Sequence, residues 1–465
     1  MTRLGDSAVR VADILVRDLS AGPVVEELLV EMEARRHLDL SDLDPTEQAR
    51  IIESRAVDVL PSGEELAEEI GKNTPLTVKF GIDPTAADVH LGHAVPMLVL
   101  SRFQRMGHRV VLLIGDITAK IGDPSGRSSE RPPLTDADIA ANMASYRDQV
   151  SPFFDFERAR FVHNSEWLTQ IRLPELLEIL SQIPVSMSLQ RDDFRTRLAE
   201  GHGLAMSEFI YSVVMAIDSV KLDADVELGG ADQLLNMQMG RKVMSVVGQK
   251  PQFVVSMPLI EGTDGTGRKM SKSAGNYISL AAPADDIYGK VMSIPDRLME
   301  PYLRAWTEWT DDEIAVVVGR IADKSLHPMD LKRVLAGDVV TAIHGVKAAM
   351  AARDAFTAHF SRRTFQDIDS LPTVAFAEHA DAPVARILTE LLEFTPSLSA
   401  ARRMAKQNGL RLVIETTDGA QDSVVLDEAQ VTGTLGDLHG SAIAGRAGEG
   451  DRVFLKAGRR LARIV

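Results

Sequence analysis

Two short apolar runs with a helical stretch between them constrain the fold of this chain more than any other feature of its sequence. LTVKFGID (76–83) and RVVLLIGD (109–116) are both strand-like, and the second suits a strand that is buried on both faces. The stretch from His90 to Met106 is helical in pattern, and Gly107 follows it as a C-cap glycine would. Strand, helix and strand at this spacing predict a parallel α/β sheet.

Further patterns divide the chain into four predicted regions. VELGGADQ (226–233) and FVVSMPLI (253–260) each predict another strand, and the segments outside the sheet region are largely helical in pattern. The N-terminal region carries no recognisable chemistry and is interpreted as a packing or dimer-supporting extension. The predicted regions are a helical extension (1–74), a sheet domain (75–282) with a helical insert at about 124–200 and a basic loop at 262–275, a helical domain (283–375) and a C-terminal domain (384–465).

The composition excludes several classes of protein. The chain has 465 residues, too many for one ordinary domain, and its net charge of −16 argues against a protein that coats nucleic acid nonspecifically. It has no cysteine, which excludes disulfides, thiolate zinc sites and thiol catalysis. The N-terminus lacks the uninterrupted apolar core of a signal peptide, and no stretch approaches about 20 apolar residues. These features fit a cytoplasmic protein.

The segment DPTAADVHLGH (83–93) places two histidines at a strand-to-helix turn. The N-terminus of a helix has unpaired backbone N–H groups and a positive partial charge, so anions bind there. His90 and His93 project from this first turn, where they can donate hydrogen bonds to phosphate oxygens as charge develops. Gly92 has no side chain, which would let a nucleotide approach the backbone. The alternative is a coincidental pair of exposed histidines.

A basic loop, GTDGTGRKMSKS (262–273), follows the last predicted strand of the sheet. Its glycines favour flexibility, and Lys269 and Lys272 make it cationic. Such a loop can close over a triphosphate and neutralise departing pyrophosphate. The alternative is an ordinary solvated basic loop, which the specific string KMSKS and its combination with HxGH oppose.

With both motifs, the sequence resembles the class I aminoacyl-tRNA synthetases, and among them the bacterial tyrosyl-tRNA synthetases that keep KMSKS intact. The similarity runs from about residue 45 to the C-terminus. It is densest in KFGIDPTAADVHLGHA, LLIGDITAKIGDPSGRSSERPPL, SEFIYSVVMAIDSVKLDADVELGGADQ and GRKMSKSAGNYI. The implied fold is α/β: a Rossmann-like parallel-sheet catalytic domain with a helical insert, then an α-helical anticodon-side domain and a small α+β RNA-binding domain.

The resemblance implies a ligase that activates L-tyrosine with ATP and transfers it to the terminal adenosine of tRNA(Tyr). ATP would act as a substrate together with Mg²⁺, and neither a tightly bound cofactor nor a protein metal site is expected. The residues implied to be catalytic are Thr85, His90, His93, Lys269 and Lys272. The residues implied to bind ATP are Asp83, Gly92, Gly229, Gly230, Asp232, Lys269, Met270, Ser271 and Lys272.

The resemblance also implies a tyrosine pocket made by Asp83, Asp123, Tyr211, Asp218 and Gln233. Asp123 and Tyr211 would hold the substrate ammonium group, and Gln233 would reach the carboxylate region. Asp218 would accept the phenolic proton, and a buried carboxylate aimed at a hydroxyl group is left unpaired by phenylalanine. The alternative for Asp218 is an N-cap or salt-bridge residue, because an aspartate in the apolar segment FIYSVVMAIDSV requires a partner.

Four residues depart from the pattern of the family. Met215 stands where a glutamine would help to bind the ammonium group, and a thioether is a poor acceptor. Ile217 stands where tyrosine is common, and Lys120 stands where a small or apolar pocket residue is expected. Lys79 stands where many relatives have tyrosine, although the KMSKS-bearing group often has lysine there. These departures raise the alternative of a paralogue that activates a tyrosine analogue or another amino acid. A third alternative is an RNA-binding protein with an inactive site, which the intact histidines and lysines oppose.

The C-terminal region is the least acidic part of the chain. Residues 384–465 contain 11 Lys/Arg and 10 Asp/Glu, a charge of +1 that leaves −17 for the rest. SLSAARRMAKQNGLRL (397–412) predicts a capped helix followed by a strand, and it resembles a small RNA-binding fold shared with a ribosomal small-subunit protein. The family resemblance further implies a homodimer formed through the helical insert. The residues implied to bind tRNA are Arg402, Arg403, Lys406 and Arg411.

Overall fold

The computed structural model describes residues 3–125, 134–362, 371–407, 409–416, 421–443, 446–448, 450–458 and 460–465. The chain divides into two compact units, Met1–Phe356 and Thr357–Val465. Each unit has a hydrophobic core of its own. Among the described residues, no helix is both long and apolar enough to cross a membrane.

The first unit is built on a six-stranded sheet. Its strands are β1 (Asp58–Leu60), β2 (Thr77–Ile82), β3 (Arg109–Ile114), β4 (Arg160–His163), β5 (Val226–Gly230) and β6 (Phe253–Met257). They lie in the order β1-β6-β5-β2-β3-β4, and only the β1–β6 pair is antiparallel. Nearly every residue of β2, β3, β5 and β6 is buried, as is usual in parallel sheets. The five parallel strands confirm the predicted Rossmann-like sheet.

The order of the strands creates a crevice at one edge of this sheet. The first parallel strand, β2, lies between β3 and β5, so the chain proceeds to opposite sides of it. Open α/β sheets bind ligands at such a switch point, beyond the carboxyl ends of the strands. Asp83 directly follows β2, and Gly229 and Gly230 end β5. Two of the predicted motifs therefore meet at the crevice.

Helices make up most of the remainder of the first unit, and the last of them continues into the second unit. They are α1 (Arg3–Leu15), α2 (Gly22–Arg36), α3 (Pro45–Glu53), α4 (Gly63–Ile70), α5 (Leu91–Arg105), α6 (Thr118–Ile121), α7 (Asp136–Met143), α8 (Tyr146–Val150), α9 (Ser165–Leu168), α10 (Leu173–Ser181), α11 (Val185–Ser188), α12 (Asp192–Ala199), α13 (Met206–Leu222), α14 (Leu234–Val246), α15 (Ala284–Ser293), α16 (Met299–Trp306), α17 (Asp311–Ala322), α18 (Pro328–His344) and α19 (Val346–Arg362).

Two strands lie in segments that were predicted to be helical. Strand β1 belongs to the 1–74 extension, where it pairs with β6, and β4 belongs to the 124–200 insert, where it pairs with β3. These strands contain only three and four residues. Such short segments have no recognisable alternation, and it is pairing with longer neighbours that makes them strands.

Buried ion pairs join the N-terminal helices, α5 and the helices after the sheet. Arg35 of α2 forms two hydrogen bonds with the carboxylate of Glu313 on α17, at 2.8 and 2.9 Å. Arg102 and Arg105, near the end of α5, lie 3.1 and 2.9 Å from the carboxylate of Glu308. The far end of the helix that begins with the HxGH motif is thereby held in place.

The second unit contains a five-stranded sheet with helices. Its strands are β7 (Thr373–Val374), β8 (Leu410–Glu415), β9 (Gln421–Val425), β10 (Arg452–Ala457) and β11 (Arg460–Ile464), in the order β7-β11-β10-β8-β9. Its helices are α20 (Phe376–His379), α21 (Val384–Arg386), α22 (Leu398–Lys406), α23 (Glu428–Thr432) and α24 (Leu435–Leu438). Because β7 pairs with β11, residues 373–374 belong to this sheet rather than to the helical region predicted to extend to 375.

Candidate active site

Three segments meet beyond the carboxyl ends of β2 and β5: the turn after β2, the GGADQ segment and the basic loop. Lys272 Nζ donates to the backbone carbonyl of Ala86 at 3.4 Å. Lys269 Nζ lies 2.7 Å from Asp232 Oδ2. The HxGH and KMSKS motifs therefore face the same crevice, although they lie far apart in the sequence.

The two histidines cap the helix from which they project. His90 Nδ1 accepts the backbone N–H of Gly92 at 3.1 Å, and His93 Nδ1 accepts that of His90 at 3.4 Å. The backbone N–H of Leu91 donates to the carbonyl of Ile278 at 3.0 Å. The expectation of unpaired N–H groups at this helix start is therefore wrong, because side chains and a neighbouring carbonyl already accept from them.

This capping determines which imidazole nitrogen carries the proton. An Nδ1 that accepts a hydrogen bond has no proton, so the neutral rings of His90 and His93 carry theirs on Nε2. Burial, followed by the charges of Lys272 and Lys269, lowers the pKa of His90 to about 3. Burial, the neighbouring His90 and the same lysines lower the pKa of His93 well below its usual range. The stacked rings, with centroids 3.7 Å apart, are neutral donors at pH 7.

Glycines in the site make room for polar side chains of the protein itself. A Cβ atom at Gly92 would lie 3.0 Å from Cε1 of His90, so the missing side chain accommodates that ring. A Cβ atom at Gly230 would lie 2.7 Å from Oδ1 of Asp232. Contacts within the protein therefore explain glycine at both positions better than the approach of a nucleotide does.

The basic loop folds back on the strand end that precedes it. Met270 is buried, and its N–H donates to the carbonyl of Ile260 at 2.8 Å. The N–H of Ser271 donates to Oδ1 of Asn276 at 2.9 Å. These contacts hold the centre of the KMSKS segment. Lys269 and Lys272, on either side of it, reach Asp232 and the carbonyl of Ala86.

A cluster of acidic groups lies next to the phosphate-side residues. The hydroxyl of Tyr211 donates to Asp83 Oδ2 at 2.9 Å, and burial together with Asp83, Asp123 and Asp218 raises the pKa of Tyr211 well above its usual value. Burial, opposed by the hydrogen bond from Thr118 and assisted by the charge of Asp123, raises the pKa of Asp83 to about 7. This concentration of negative charge is suited to a cationic group.

Asp123 and Gln233 belong to one hydrogen-bond network. Gln233 Nε2 donates to Asp123 Oδ2 at 2.7 Å, and Asn236 Nδ2 donates to Gln233 Oε1 at 2.8 Å. Asp123 Oδ1 accepts the N–H and the hydroxyl of Ser125, at 2.9 and 2.7 Å. Buried Arg191 donates to the hydroxyl of Ser125 at 2.9 Å. The network holds the Asp123 carboxylate and the Gln233 amide in fixed orientations.

Asp218 lies inside α13, four residues before the helix ends, so it is not an N-cap residue, and its side chain is buried. Its Oδ1 accepts the indole N–H of Trp167 at 2.8 Å, and its Oδ2 accepts the amide of Asn164 at 3.2 Å. Lys79 lies 2.8 Å from Glu227 in a buried ion pair. Burial, opposed by the charge of Lys79 and by the two hydrogen bonds, raises the pKa of Asp218 to about 6. The carboxylate is therefore largely ionised at pH 7.

The departures from the family pattern differ in their surroundings. Lys120 pairs with Asp136 at 2.5 Å, and both side chains are exposed. Ile217 is buried in an apolar cluster with residues such as Val243. Lys79 is occupied by Glu227. Of these four residues, only Met215, which is half-buried, belongs neither to that apolar cluster nor to an ion pair among the described residues.

Several residues of the site were not predicted from the sequence. Thr118 donates to Asp83 at 2.6 Å, and a Cβ atom at Gly115 would lie 2.0 Å from the same carboxylate. Asn164 and Trp167 bind Asp218 from the segment after β4. The sequence signal for the last two is weak, because the four residues of β4 show no strand pattern of their own.

The basic residues predicted to bind RNA are in the second unit. Arg402, Arg403 and Lys406 are exposed on α22, while Ala401 and Ala405 of the same helix are buried. Arg411, the second residue of β8, is also exposed. The helix thus exposes three basic side chains while its alanines pack inward.

Comparisons with known proteins give a consistent family. Residues 71–361 match the family model of the class I tRNA synthetases (W and Y). A tyrosine–tRNA ligase of Thermotoga maritima is 39% identical over 84% of this chain and 95% of its own length. One from Geobacter metallireducens is 41% identical over 79% of this chain and 91% of its own length.

Solved structures share the fold. A C-terminally truncated mitochondrial tyrosyl-tRNA synthetase of Aspergillus nidulans superposes with a TM-score of 0.57, at 22% identity, over 72% of this chain and 98% of that chain. The tyrosyl-tRNA synthetase of Archaeoglobus fulgidus, complexed with L-tyrosine, has a TM-score of 0.53 at 23% identity, over 66% and 100% of the two chains. With the sheet order, the paired motifs and the matching relatives in hand, this chain belongs to the class I tRNA synthetases, and within them to the tyrosine–tRNA ligases.

Proposed function

We propose that this chain activates L-tyrosine with ATP and transfers the tyrosyl group to the 3′-terminal adenosine of tRNA(Tyr). The observation that carries the proposal is the meeting of the HxGH and KMSKS segments, in which Lys272 contacts the carbonyl of Ala86 at 3.4 Å. Two lysines and two neutral imidazole donors then face one crevice. Such a set of donors suits a triphosphate whose charge moves onto a leaving group.

The phosphate side of the site acts by position and charge. A carboxylate oxygen of tyrosine attacks the α-phosphorus of ATP, and the bond from that phosphorus to the bridging oxygen breaks as pyrophosphate leaves. Because the carboxylate is already a nucleophile, neither histidine has to remove a proton. The Nε2–H groups of His90 and His93 donate to the phosphate oxygens, and Lys269 and Lys272 stabilise pyrophosphate, with Thr85 beside them. Mg²⁺ enters with ATP as part of the substrate.

ATP binding exchanges the partners of the loop. Lys269 pairs with Asp232 at 2.7 Å, and Asp232 is the carboxylate that we assign to the ribose hydroxyl groups. When those hydroxyls donate to Asp232, the lysine is released towards the phosphates. Gly92 and Gly230 leave room for the His90 ring and the Asp232 carboxylate on the ATP side, and Gly229 lies next to Gly230 at the end of β5. Met270 and Ser271 hold the loop in place through their backbone hydrogen bonds.

The acidic cluster receives the amino acid. The substrate ammonium group lies among Asp123, Tyr211 and Asp83, where a positive charge relieves repulsion between the carboxylates. Gln233 orients the substrate carboxylate. Asp218 accepts the phenolic hydroxyl at the other end of the pocket. Met215 supplies no polar contact at the ammonium end, and it alone favours the second candidate function, activation of a tyrosine analogue.

Pyrophosphate exchange with a panel of amino acids tests the proposal. We expect exchange that depends on tyrosine, with phenylalanine far weaker. Exchange only with a tyrosine analogue would replace the proposal by the second candidate. Binding of tRNA without exchange for any amino acid would instead indicate an inactive, RNA-binding protein.

Binding of tRNA is assigned to the basic residues of α22 and β8 in the second unit. We expect the double substitution Arg402→Ala, Arg403→Ala to leave adenylate formation unchanged and to lower kcat/KM for tRNA by about 10-fold, with a salt dependence reduced by about two phosphate contacts. Arg386→Ala, an exposed arginine of the same unit paired with Glu390, is the matched control. Equal losses in adenylate formation and in the charging of tRNA would contradict the assignment of tRNA binding to these residues.

We further propose that the protein is a homodimer formed through the helical insert. Leu173 and Leu177 lie one turn apart on α10 and are 67% and 54% exposed, and Val185 nearby in the sequence is 61% exposed. A second copy of the chain would cover such a surface.

We expect light scattering to give twice the 50.7 kDa chain mass, and Leu177→Glu to give the mass of one chain. Val16→Glu, which changes an exposed valine outside the insert, should remain dimeric. A monomeric native protein would end this proposal.

A further inference from the structure

Two paths of hydrogen bonds end on the Asp123 carboxylate, one on each oxygen. Oδ1 accepts the hydroxyl of Ser125 at 2.7 Å, and Oδ2 accepts Nε2 of Gln233 at 2.7 Å. Asn236 Nδ2 in turn donates to Gln233 Oε1 at 2.8 Å. Both paths begin at Arg191, whose guanidinium donates to the hydroxyl of Ser125 at 2.9 Å and to Oδ1 of Asn236 at 2.8 Å. One guanidinium therefore reaches both oxygens of the carboxylate that we assign to the ammonium group.

The direction of the path through the two amides is fixed at both ends. Arginine has N–H donors and no acceptor, and an ionised carboxylate has acceptors only. The Asn236 atom that faces Arg191 must therefore be the oxygen, which leaves its nitrogen to donate to Gln233. Gln233 accepts that bond through its own oxygen, so its nitrogen points to Asp123. Neither amide can be turned round without placing two donors or two acceptors against each other.

The same polarity decides what Gln233 offers to the substrate. Its Nε2 has two hydrogens, and one of them is used in the bond to Asp123. The other has no acceptor within the described part of the chain, so it can meet the carboxylate of the amino acid. In the reverse orientation, Gln233 would present its oxygen to that carboxylate and repel it. Ser125 is directed in the same way, because Arg191 donates to its oxygen and leaves its hydrogen for Asp123.

The guanidinium of Arg191 is held in place by a carboxylate that also neutralises it. Asp193 accepts from it through both oxygens, at 3.2 and 3.0 Å. The central carbon of the guanidinium lies 4.9 Å from the ring centroid of Phe194, and both side chains are buried. Because Asp193 balances the charge of Arg191, the negative charge of Asp123 remains for the substrate ammonium group.

We propose that Arg191 is a positioning residue for the head group of the amino acid. By directing one path onto each oxygen of Asp123, it fixes the acceptor of the ammonium group and turns an N–H of Gln233 towards the substrate carboxylate. The inference rests on the proposed activation of tyrosine. It concerns the ammonium and carboxylate groups that all α-amino acids share, and not the phenol that distinguishes tyrosine.

The test compares ligands that differ in their head group. KM for tyrosine is measured in pyrophosphate exchange. Tyramine, which keeps the ammonium group and lacks the carboxylate, and 4-ethylphenol, which lacks both, are measured as competitors of tyrosine. For Arg191→Met, we expect KM for tyrosine to rise about 10- to 100-fold, as for the loss of a hydrogen bond to a charged group, and the inhibition constant of tyramine to rise about 10-fold. The inhibition constant of 4-ethylphenol and KM for ATP should stay at the native values.

Three further variants make the result decisive. Arg191→Lys restores donors beside Asp193 on one nitrogen instead of a fork, so it should recover part of the affinity for tyrosine. Ser125→Ala is a small change that removes only the path to Oδ1, and it should weaken tyramine about 10-fold. Arg195→Met is the matched control, because Arg195 is an exposed arginine of α12 that pairs with Asp192. It should have the native constants for every ligand.

The possible failures are distinguishable. Absence of tyrosine-dependent exchange in the native protein would overturn the proposed function itself. With that exchange present, a native KM for tyrosine in Arg191→Met would overturn the positioning role alone. Equal losses of affinity for tyrosine, 4-ethylphenol and ATP would also overturn it, because they would show that Arg191 serves only to hold the fold.

Discussion

Replacing His93 with asparagine is expected to slow adenylate formation about 100- to 1,000-fold, which is the usual effect of removing one preorganised donor from a transition state. His93 Nδ1 accepts the backbone N–H of His90, and its Nε2–H is the donor that we assign to phosphate. Asparagine offers an acceptor near the position of Nδ1 and nothing at Nε2. The helix cap should therefore survive, and the rate should be lost in kcat with KM for tyrosine nearly unchanged.

His93→Gln makes the complementary change. Its amide N–H lies near the position of Nε2, and it has no acceptor in place of Nδ1. We expect it to recover about 10-fold of the rate lost by the asparagine variant, and to lower the stability of the helix start by about 1 kcal/mol, as for other cap losses. Single-turnover adenylation and thermal unfolding measure the two effects separately.

His37→Ala is the control, because His37 is exposed just beyond α2 and far in sequence from the motif. It should have the native rate. A full rate in His93→Asn would show that this imidazole serves only as a cap. A pH dependence of the native rate traceable to His93 would also contradict the assignment, because burial and neighbouring charge keep its pKa far below neutral.

Replacing Arg35 with methionine is expected to lower the free energy of unfolding of the first unit by about 3–5 kcal/mol, because it leaves the partner carboxylate buried without a counter-charge. The side chains of Arg35 and Glu313 are 1% and 4% exposed, and two hydrogen bonds of 2.8 and 2.9 Å join them. Arg35 also donates to the carbonyl of Glu308 at 3.0 Å. The N-terminal extension would thus contribute to stability through this contact.

Chemical denaturation followed by tryptophan fluorescence measures the effect, because all three tryptophans of the chain lie within the first unit. The double variant Arg35→Met, Glu313→Leu should regain most of the loss, since both charges are then removed. Arg50→Met breaks an ion pair with Glu47 in which the arginine is 74% exposed, and it should cost less than about 0.5 kcal/mol. A similarly small effect for Arg35→Met would show that Glu313 finds other stabilising partners.

The parts of the fold that could be predicted are those with local signals. β2, α5 and β3 follow one another with clear hydrophobic patterns, and the turn that holds Asp83 and the histidines lies between them. β4 has only four residues, and it is a strand because β3 lies beside it. The sequence therefore does not predict the roles of Asn164 and Trp167, which follow β4 and donate hydrogen bonds to the carboxylate of Asp218.

By itself, the sequence determined the family, the order of the segments and the residue types that reach the crevice, since motifs and periodicity are properties of short stretches. Only the tertiary structure decided their protonation and their partners. The histidines are neutral caps, Asp218 is shared with Trp167 and Asn164, and Lys269 is paired with Asp232. The reason is physical: a tautomer or a pKa depends on burial and on charges within a few ångströms, and here those neighbours come from distant parts of the chain.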